Sequence, residues 1–326
     1  MPRPRSDITV SADDGVGLHV EFDGDPDAPL TMVLTHGFTA SSAEWDQQRP
    51  VLRERVEMVL WDHRGHGHSG WTHLTKATID QTARDLGTVL DATVPAGPIV
   101  LVGHSMGGMS IMALARQRPE LFGDRVVGVL LLATSAGGLA RTGVVGRWVR
   151  ILRRLGLLTR WLGFLQAVSP RLERHRRRGS SLGHRFVRHY LFGFDDAHPE
   201  LVRRVQVLLE QTPYPVTMAF YGTLLDHHEE ASLAVLRRVP VTVVAATHDR
   251  LTPARHGRRI AELLGDSVEF VLIRGAGHSV NATRPDQVNA AFLSLLDRVE
   301  RRLAANGSAG TAQAAKSGES VPPGGR

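Results

Sequence analysis

The chain has 326 residues, 42% of them hydrophobic, and no cysteine. That length can bury one large core or two ordinary domains, and the missing thiol excludes disulfides, thiolate metal sites and a cysteine nucleophile. The net charge of +6 is uneven, because residues 141–190 hold 13 arginines against one acid, Glu173, so a uniformly basic nucleic-acid binder is not what the charge describes.

From the amino end, "MPRPRSDITVSADDG" carries basic residues without the apolar run of a secretory signal. No window reaches the roughly 18 uninterrupted apolar residues of a membrane span. With the absence of cysteine, these features set the expectation of a cytoplasmic protein. "ITVSA" and "VGLHVEF" read as strands joined by the turn "DDG" at 13–15, and "LTMVLTHG" reads as a third. A helical stretch is expected over 41–56. "EMVLWD" (57–62), "GPIVLVGH" (97–104), "VVGVLLLAT" (126–134), "PVTVVAATHD" (240–249) and "VEFVLIRG" (268–275) are nearly continuous apolar runs. Such runs belong to parallel strands covered on both faces. Helical periods fill 77–92, 106–118, 254–264 and 285–303, the last with Val288, Ala291, Phe292, Leu295 and Val299 on one side. Strand and helix alternate, so the class is α/β.

One connection is too long for a crossover, with about a hundred residues between Thr134 and Pro240. It reads as an inserted helical cap. The expected organisation is a core over 1–135, an arginine-rich cap over 136–235, the rest of the core over 236–303 and a disordered tail over 304–326. Within the cap, Ile151, Leu155, Leu158, Leu162 and Leu165 fall on one face of a helix spanning 147–168, with Arg153 and Arg160 opposite. Leucines and tryptophans beside arginines are the composition of an interfacial helix, which raises a peripheral contact with anionic membrane as a partner.

Ser105 stands in "VLVGHSMGGMSIM", where a buried strand meets a helix. A turn that sharp strains the serine backbone and needs small neighbours, which Gly103 and Gly107 supply. Alone, G-x-S-x-G also describes a glycine-rich turn that merely packs a helix on a sheet. A serine nucleophile needs a base and the base an orienting carboxylate. Among 16 histidines, His278 in "LIRGAGHSVN" follows the last apolar strand on a glycine-rich loop. Asp249 in "THDRLTP" ends the preceding strand, and the rival position after "VLLLAT" offers no acid. Two backbone donors would complete the set: the N–H of Phe38, in the "THGF" turn after the third strand, and that of Met106 at the helix start.

In "WDHRGHGHSG", Asp62, His63, His66 and His68 lie on one short loop, all potential metal ligands. "HHEE" at 227–230 reads as a solvated helix face.

"THGFTAS", "DHRGHGHS", "GHSMGG", "THDRLTP" and "GAGHSVN", in the order Ser…Asp…His, resemble the α/β-hydrolase fold family over residues 6–135 and 236–303. The resemblance implies an eight-stranded, mostly parallel sheet with the cap between its sixth and seventh strands. It also implies Ser105, Asp249 and His278 as a triad, with Phe38 and Met106 as oxyanion donors, and "DHRGHGHS" as a structural loop after the fourth strand, with Asp62 and Arg64 bonding inside it, rather than a metal site. Hydrolysis of that kind uses no cofactor and no metal. It is similar to the serine esterase and lipase branch, and the same motifs also occur in carbon–carbon bond hydrolases, thioesterases and cofactor-free haloperoxidase-like members. A slow-turnover sensor on the same fold is the reading from another class. The expected ligand is a small lipophilic ester, in a pocket to which Trp148, Trp161, Phe164 and Tyr221 are assigned; the sequence leaves the oligomeric state open.

Overall fold

The computed structural model describes residues 7–71, 73–141, 151–152, 154–176, 187–193 and 198–317. Its centre is one eight-stranded sheet. The strands are β1 (Asp7–Ser11), β2 (Gly17–Gly24), β3 (Thr31–Thr35), β4 (Glu57–Trp61), β5 (Ile99–His104), β6 (Val126–Leu132), β7 (Val241–Ala246) and β8 (Val268–Ile273). Their order is β1-β2-β4-β3-β5-β6-β7-β8. β1 and β2 pair antiparallel, as does β2 with β4, and every pair from β4 to β8 is parallel. The apolar runs predicted this, since a parallel strand is covered on both sides.

Alternate residues supply the two cores. Val33, Val59, Leu101, Leu131 and Val243 face one way, packed with α1 (Ile79–Thr93), α2 (Met106–Gln117) and α6 (Ala254–Leu264). Met32, Leu34, Leu60, Val102, Leu130 and Val244 face the other, against α7 (Pro285–Ser317) through Val288, Ala291, Phe292, Leu295 and Val299. Thr78 caps α1 by accepting from Gln81 N at 3.0 Å. Between β6 and β7 run α3 (Leu158–Arg176), α4 (Pro199–Gln211) and α5 (Tyr214–Asp226).

Four local expectations need correction. Residues 41–56 form a 3-10 turn, Ser42–Trp45, and a separate short helix, Arg49–Leu52, in place of one helix; Pro50 has no N–H for a bond to the preceding turn. The face drawn over 147–168 is interrupted, because Gly156 adopts φ +68° and α3 begins only at Leu158. "HHEE" is not a helix face. It is not helical: His227 and Glu229 are buried, His228 is exposed, Glu230 is half-buried at the following turn, and Glu229 accepts from Arg116 at 2.9 Å. Finally, α7 continues to Ser317 through an alanine-rich stretch, beyond the expected end at Leu303.

The loop after β4 is held from both ends. Asp62 Oδ2 accepts from His68 N at 2.8 Å and Oδ1 from Ser42 N at 2.7 Å. Arg64, expected to bond inside the loop, reaches out of it to Asp85 on α1 at 2.6 and 2.7 Å and to Asp14 at 2.8 Å. His63 and His66 turn inward and pack on His36, with ring centroids 4.6 and 5.5 Å away. Asp62 and His68 instead approach His19, with ligand atoms within 4.8 Å of one another. Both oxygens of Asp62 are already used by backbone N–H groups, which fits an anchor better than a metal ligand.

Burial holds the His66 imidazole down to about 3 and that of His227 to about 4. An unfolded histidine protonates near ~6.5, so below that pH the unfolded chain takes up protons that the folded one refuses. Stability should therefore be complete above pH ~6.5 and fall towards pH ~4.5, by up to ~1.4 kcal/mol per pH unit for each such histidine. Urea midpoints across that range check this. His66→Asn, which keeps a donor for the Arg64 carbonyl, should flatten the slope, and a midpoint flat from pH 7 to 4.5 in the parent would contradict the assignment.

Candidate active site

Ser105 sits between β5 and α2 with φ 50° and ψ −113°, a conformation that a side chain strains against. What holds it there is how closely the helix approaches the sheet. A Cβ on Gly107 would lie 2.2 Å from Thr35 O, and one on Gly103 would lie 2.5 Å from Gly108 N. Both glycines are needed for the turn to close. Ser105 N donates to Leu132 O at 2.9 Å, and Thr134 Oγ1 donates to Ser105 O at 2.6 Å, so the end of β6 and the loop after it fix the strained residue on both sides.

Asp249 follows β7 by three residues and His278 follows β8 by five. Parallel strands end on one side of a sheet, so these loops meet at the elbow. His278 Nε2 lies 2.9 Å from Ser105 Oγ, and His278 Nδ1 lies 2.8 Å from Asp249 Oδ2. Asp249 and His278 are each 4% exposed, so this file of hydrogen bonds is shielded from competing water. The second carboxylate oxygen, Oδ1, accepts from the backbone N–H of Leu251 and of Thr252, both at 2.8 Å. Burial opposes the Asp249 charge, yet His278 and these donors outweigh it and hold the carboxyl below its ordinary range. An ionised Asp249 fixes a proton on Nδ1 and leaves the Nε2 lone pair for the serine hydroxyl.

Phe38 follows β3 by three residues, next to Gly37, whose added Cβ would lie 3.4 Å from Ser105 Cβ, and Met106 is the first residue of α2. Among the described residues neither N–H has an acceptor. A developing oxyanion needs two such donors. Around Phe38 lies an aromatic wall, with Phe220 of α5 at 6.3 Å, and His66 at 6.0 Å, while Trp71 stands 6.1 Å from Phe220.

The assigned pocket residues separate. Trp148 lies outside the described residues. Trp161 and Tyr221 are half-buried on α3 and α5, and burial raises the Tyr221 hydroxyl above its ordinary value. Phe164 is 62% exposed, which is not how a ring enclosing a lipophilic ligand sits. The segment 187–193 seats on the loop that carries His278, with Leu191 O accepting from Ser279 N at 3.0 Å.

Sequence reasoning passed over Thr252. Its hydroxyl lies 2.7 Å from Ala133 O, 2.8 Å from Asp249 Oδ2 and 3.2 Å from His278 Nδ1, so it joins the end of β6 to the carboxylate. The one available signal was its place three residues after Asp249, where an Asx-type turn brings a side chain back to the acid. Thr252→Val should cost about 1–3 kcal/mol in unfolding free energy for the buried acceptors left behind. It should also lower kcat several-fold, with Thr252→Ser near the parent in both. A valine variant with parental kcat would remove Thr252 from the site.

A protein of Caulobacter sp. (strain K31) named "Putative carbamate hydrolase RutD" is 28% identical over 293 residues, covering 86% of this chain and 96% of its own. In fold, the chain is similar to a thermophilic esterase from Thermogutta terrifontis, with a TM-score of 0.69, 24% identity and coverage of 91% of this chain and 99% of the other. It is equally similar to the enol-lactonase from Burkholderia xenovorans LB400, with a TM-score of 0.69, 22% identity and coverage of 89% and 100%. Residues 32–291 match a family described as alpha/beta hydrolase, a span that runs from β3 past His278 into α7, and the chain belongs to that family.

Proposed function

We propose that this hydrolase cleaves carboxylic esters of apolar acyl groups through an acyl-enzyme on Ser105. The observation that carries the reading is the unbroken file Asp249–His278–Ser105, with contacts of 2.8 and 2.9 Å. In the proposed cycle, Ser105 Oγ attacks the carbonyl carbon while its proton passes to His278 Nε2. The oxyanion forms between the N–H groups of Phe38 and Met106. Collapse expels the alkoxide, which takes the proton from Nε2 and leaves as alcohol. A water then gives a proton to Nε2 and its oxygen to the acyl carbon, and the carboxylic acid departs as the proton returns to Oγ. No cofactor, metal or nucleic acid enters this scheme, and the proposed setting is the cytoplasm.

Support for an apolar acyl group comes from Phe38, Trp71 and Phe220, which gather beside the oxyanion turn. In this reading residues 136–235 act as a cap whose half-buried Trp161 and Tyr221 extend that wall. The RutD relative favours one second substrate class, carbamates, in which the same attack would leave a carbamoyl group on Ser105. An ester chain-length series beside a matched carbamate separates the two.

Ser105→Ala should lower kcat by roughly 10⁴- to 10⁶-fold while the protein stays folded. Asp249→Asn should lower it by roughly 10³- to 10⁴-fold through the wrong imidazole tautomer. Combining Asp249→Asn with His278→Ala should cost little more than His278→Ala alone, because both act on one step. A serine variant with more than a few per cent of parental activity would sink the reading.

The proposed partnership with anionic membrane rests on Ile151, Leu155, Leu157 and Phe164, which are 41, 64, 41 and 62% exposed and stand beside exposed Arg154 and Arg160. Activity on aggregated esters should exceed that on soluble short ones, and Leu155→Asp/Phe164→Asp should remove the difference. Equal rates on both sides of the aggregation point, with no sedimentation on anionic vesicles at low salt, would end this part of the proposal.

A further inference from the structure

Two buried charged groups next to the site are not used by the cycle above. His104 precedes Ser105 and its ring is fully enclosed, with 4% side-chain exposure, while Glu44 lies in the turn after β3 with 11%. His104 Nε2 is 3.1 Å from the backbone carbonyl of His278. Its Nδ1 is 2.6 Å from Glu44 Oε1, a close ion-pair contact bent away from an aligned hydrogen bond. A carbonyl and a carboxylate are both acceptors, so the ring satisfies them together only when each nitrogen carries a proton.

Glu44 in turn reaches the oxyanion turn. Its second oxygen, Oε2, accepts from Gly37 N at 2.8 Å, one residue before Phe38. Its backbone carbonyl accepts from Asn281 Nδ2 at 3.2 Å, three residues after His278. The fit around the ring is tight, since a Cβ on Gly37 would lie 2.7 Å from His104 Nδ1. The His104 and His278 rings lie 4.8 Å apart at 45°. One carboxylate and one imidazole therefore connect the loop that carries an oxyanion donor to the loop that carries the base.

We propose that Glu44 and His104 form a buried ion-paired brace that fixes the oxyanion turn against the His278 loop, and that both are positioning residues for reaction at Ser105. The proposal rests on the Ser105 reading. Burial alone would strip the proton from His104 and neutralise Glu44, but their opposite charges outweigh it: the imidazole is pushed up and the carboxyl down. The other titratable groups facing the pair are His36, which burial shifts down and so keeps neutral, and Asp249 with His278. A buried pair costs desolvation, so its contribution is expected in orientation more than in stability. Misplacing reacting groups by about 1 Å costs on the order of 10² in rate.

The test measures kcat and KM on a soluble aryl ester, with folding checked by near-UV circular dichroism. Glu44→Ala and His104→Ala should each lower kcat by about 10- to 100-fold with KM changed far less. The double variant should be no worse than either single one. Glu44→Gln can accept from Gly37 N and donate to a neutral His104 Nδ1, so it keeps the geometry without the charges and should stay within about threefold of the parent. Should the alanine variants fail to fold, ¹⁵N spectra of the parent decide: His104 is expected to hold both protons at pH 7. A His104 with one proton at that pH would overturn the ion pair, and folded alanine variants with parental kcat would overturn the positioning role. Fluorophosphonate labelling of the parent at Ser105 separates this failure from failure of the nucleophile assignment, which an unlabelled Ser105 would mark.

Discussion

The site depends on one close approach of backbone to backbone. Helix α2 starts so near β3 that position 107 has no room for a Cβ beside Thr35 O, and this proximity forces Ser105 into its positive φ. Such strain costs on the order of 1–3 kcal/mol and persists only where the surroundings fix it. Here the surroundings fix it: β5 is buried along its whole length, Leu132 at the end of β6 accepts from Ser105 N–H, and Thr134 in the loop after it donates to Ser105 C=O. The reward is orientation. The hydroxyl stands clear of its own strand, faces His278 and has the first N–H of a helix beside it.

Everything else around Ser105 is delivered by strand ends. β3 brings the Phe38 turn, β7 brings Asp249 and β8 brings His278, and the parallel register puts all three on one side of the sheet. Side-chain ties then connect these loops across the sheet end. Thr252 links β6 to Asp249, and Glu44 with His104 links the β3 turn to the His278 loop. From the β6–β7 connection, Leu191 O accepts from Ser279 N, and Phe220 of α5 lies 6.3 Å from Phe38.

Much of this was legible in the sequence, for definite reasons. Continuous apolar runs marked the parallel strands, glycines two residues either side of Ser105 marked the elbow, and Asp249 and His278 stood where strands end. What escaped was set by partners distant in the chain. Glu44 and His104 are 60 positions apart, and Arg64 pairs with Asp85 on a helix and Asp14 in a hairpin, so no local pattern announces either. Short segments misled for a different reason. Four residues such as "HHEE" fit a helical or an extended period equally well, and only the burial of His227 and Glu229 shows the period of two. In the β6–β7 connection, leucine spacing suggested one long helix, whereas the left-handed Gly156 ends the regularity.

In the proposed cycle Ser105 carries the acyl group between two half-reactions. The direct measurement is the mass of the protein quenched in acid during turnover of a slow aryl ester, followed by peptide mapping. The account predicts one acyl group per chain, on the peptide that contains Ser105, and no adduct in Ser105→Ala. Turnover by a chain that stays unmodified, or an acyl group found on another residue, would contradict it.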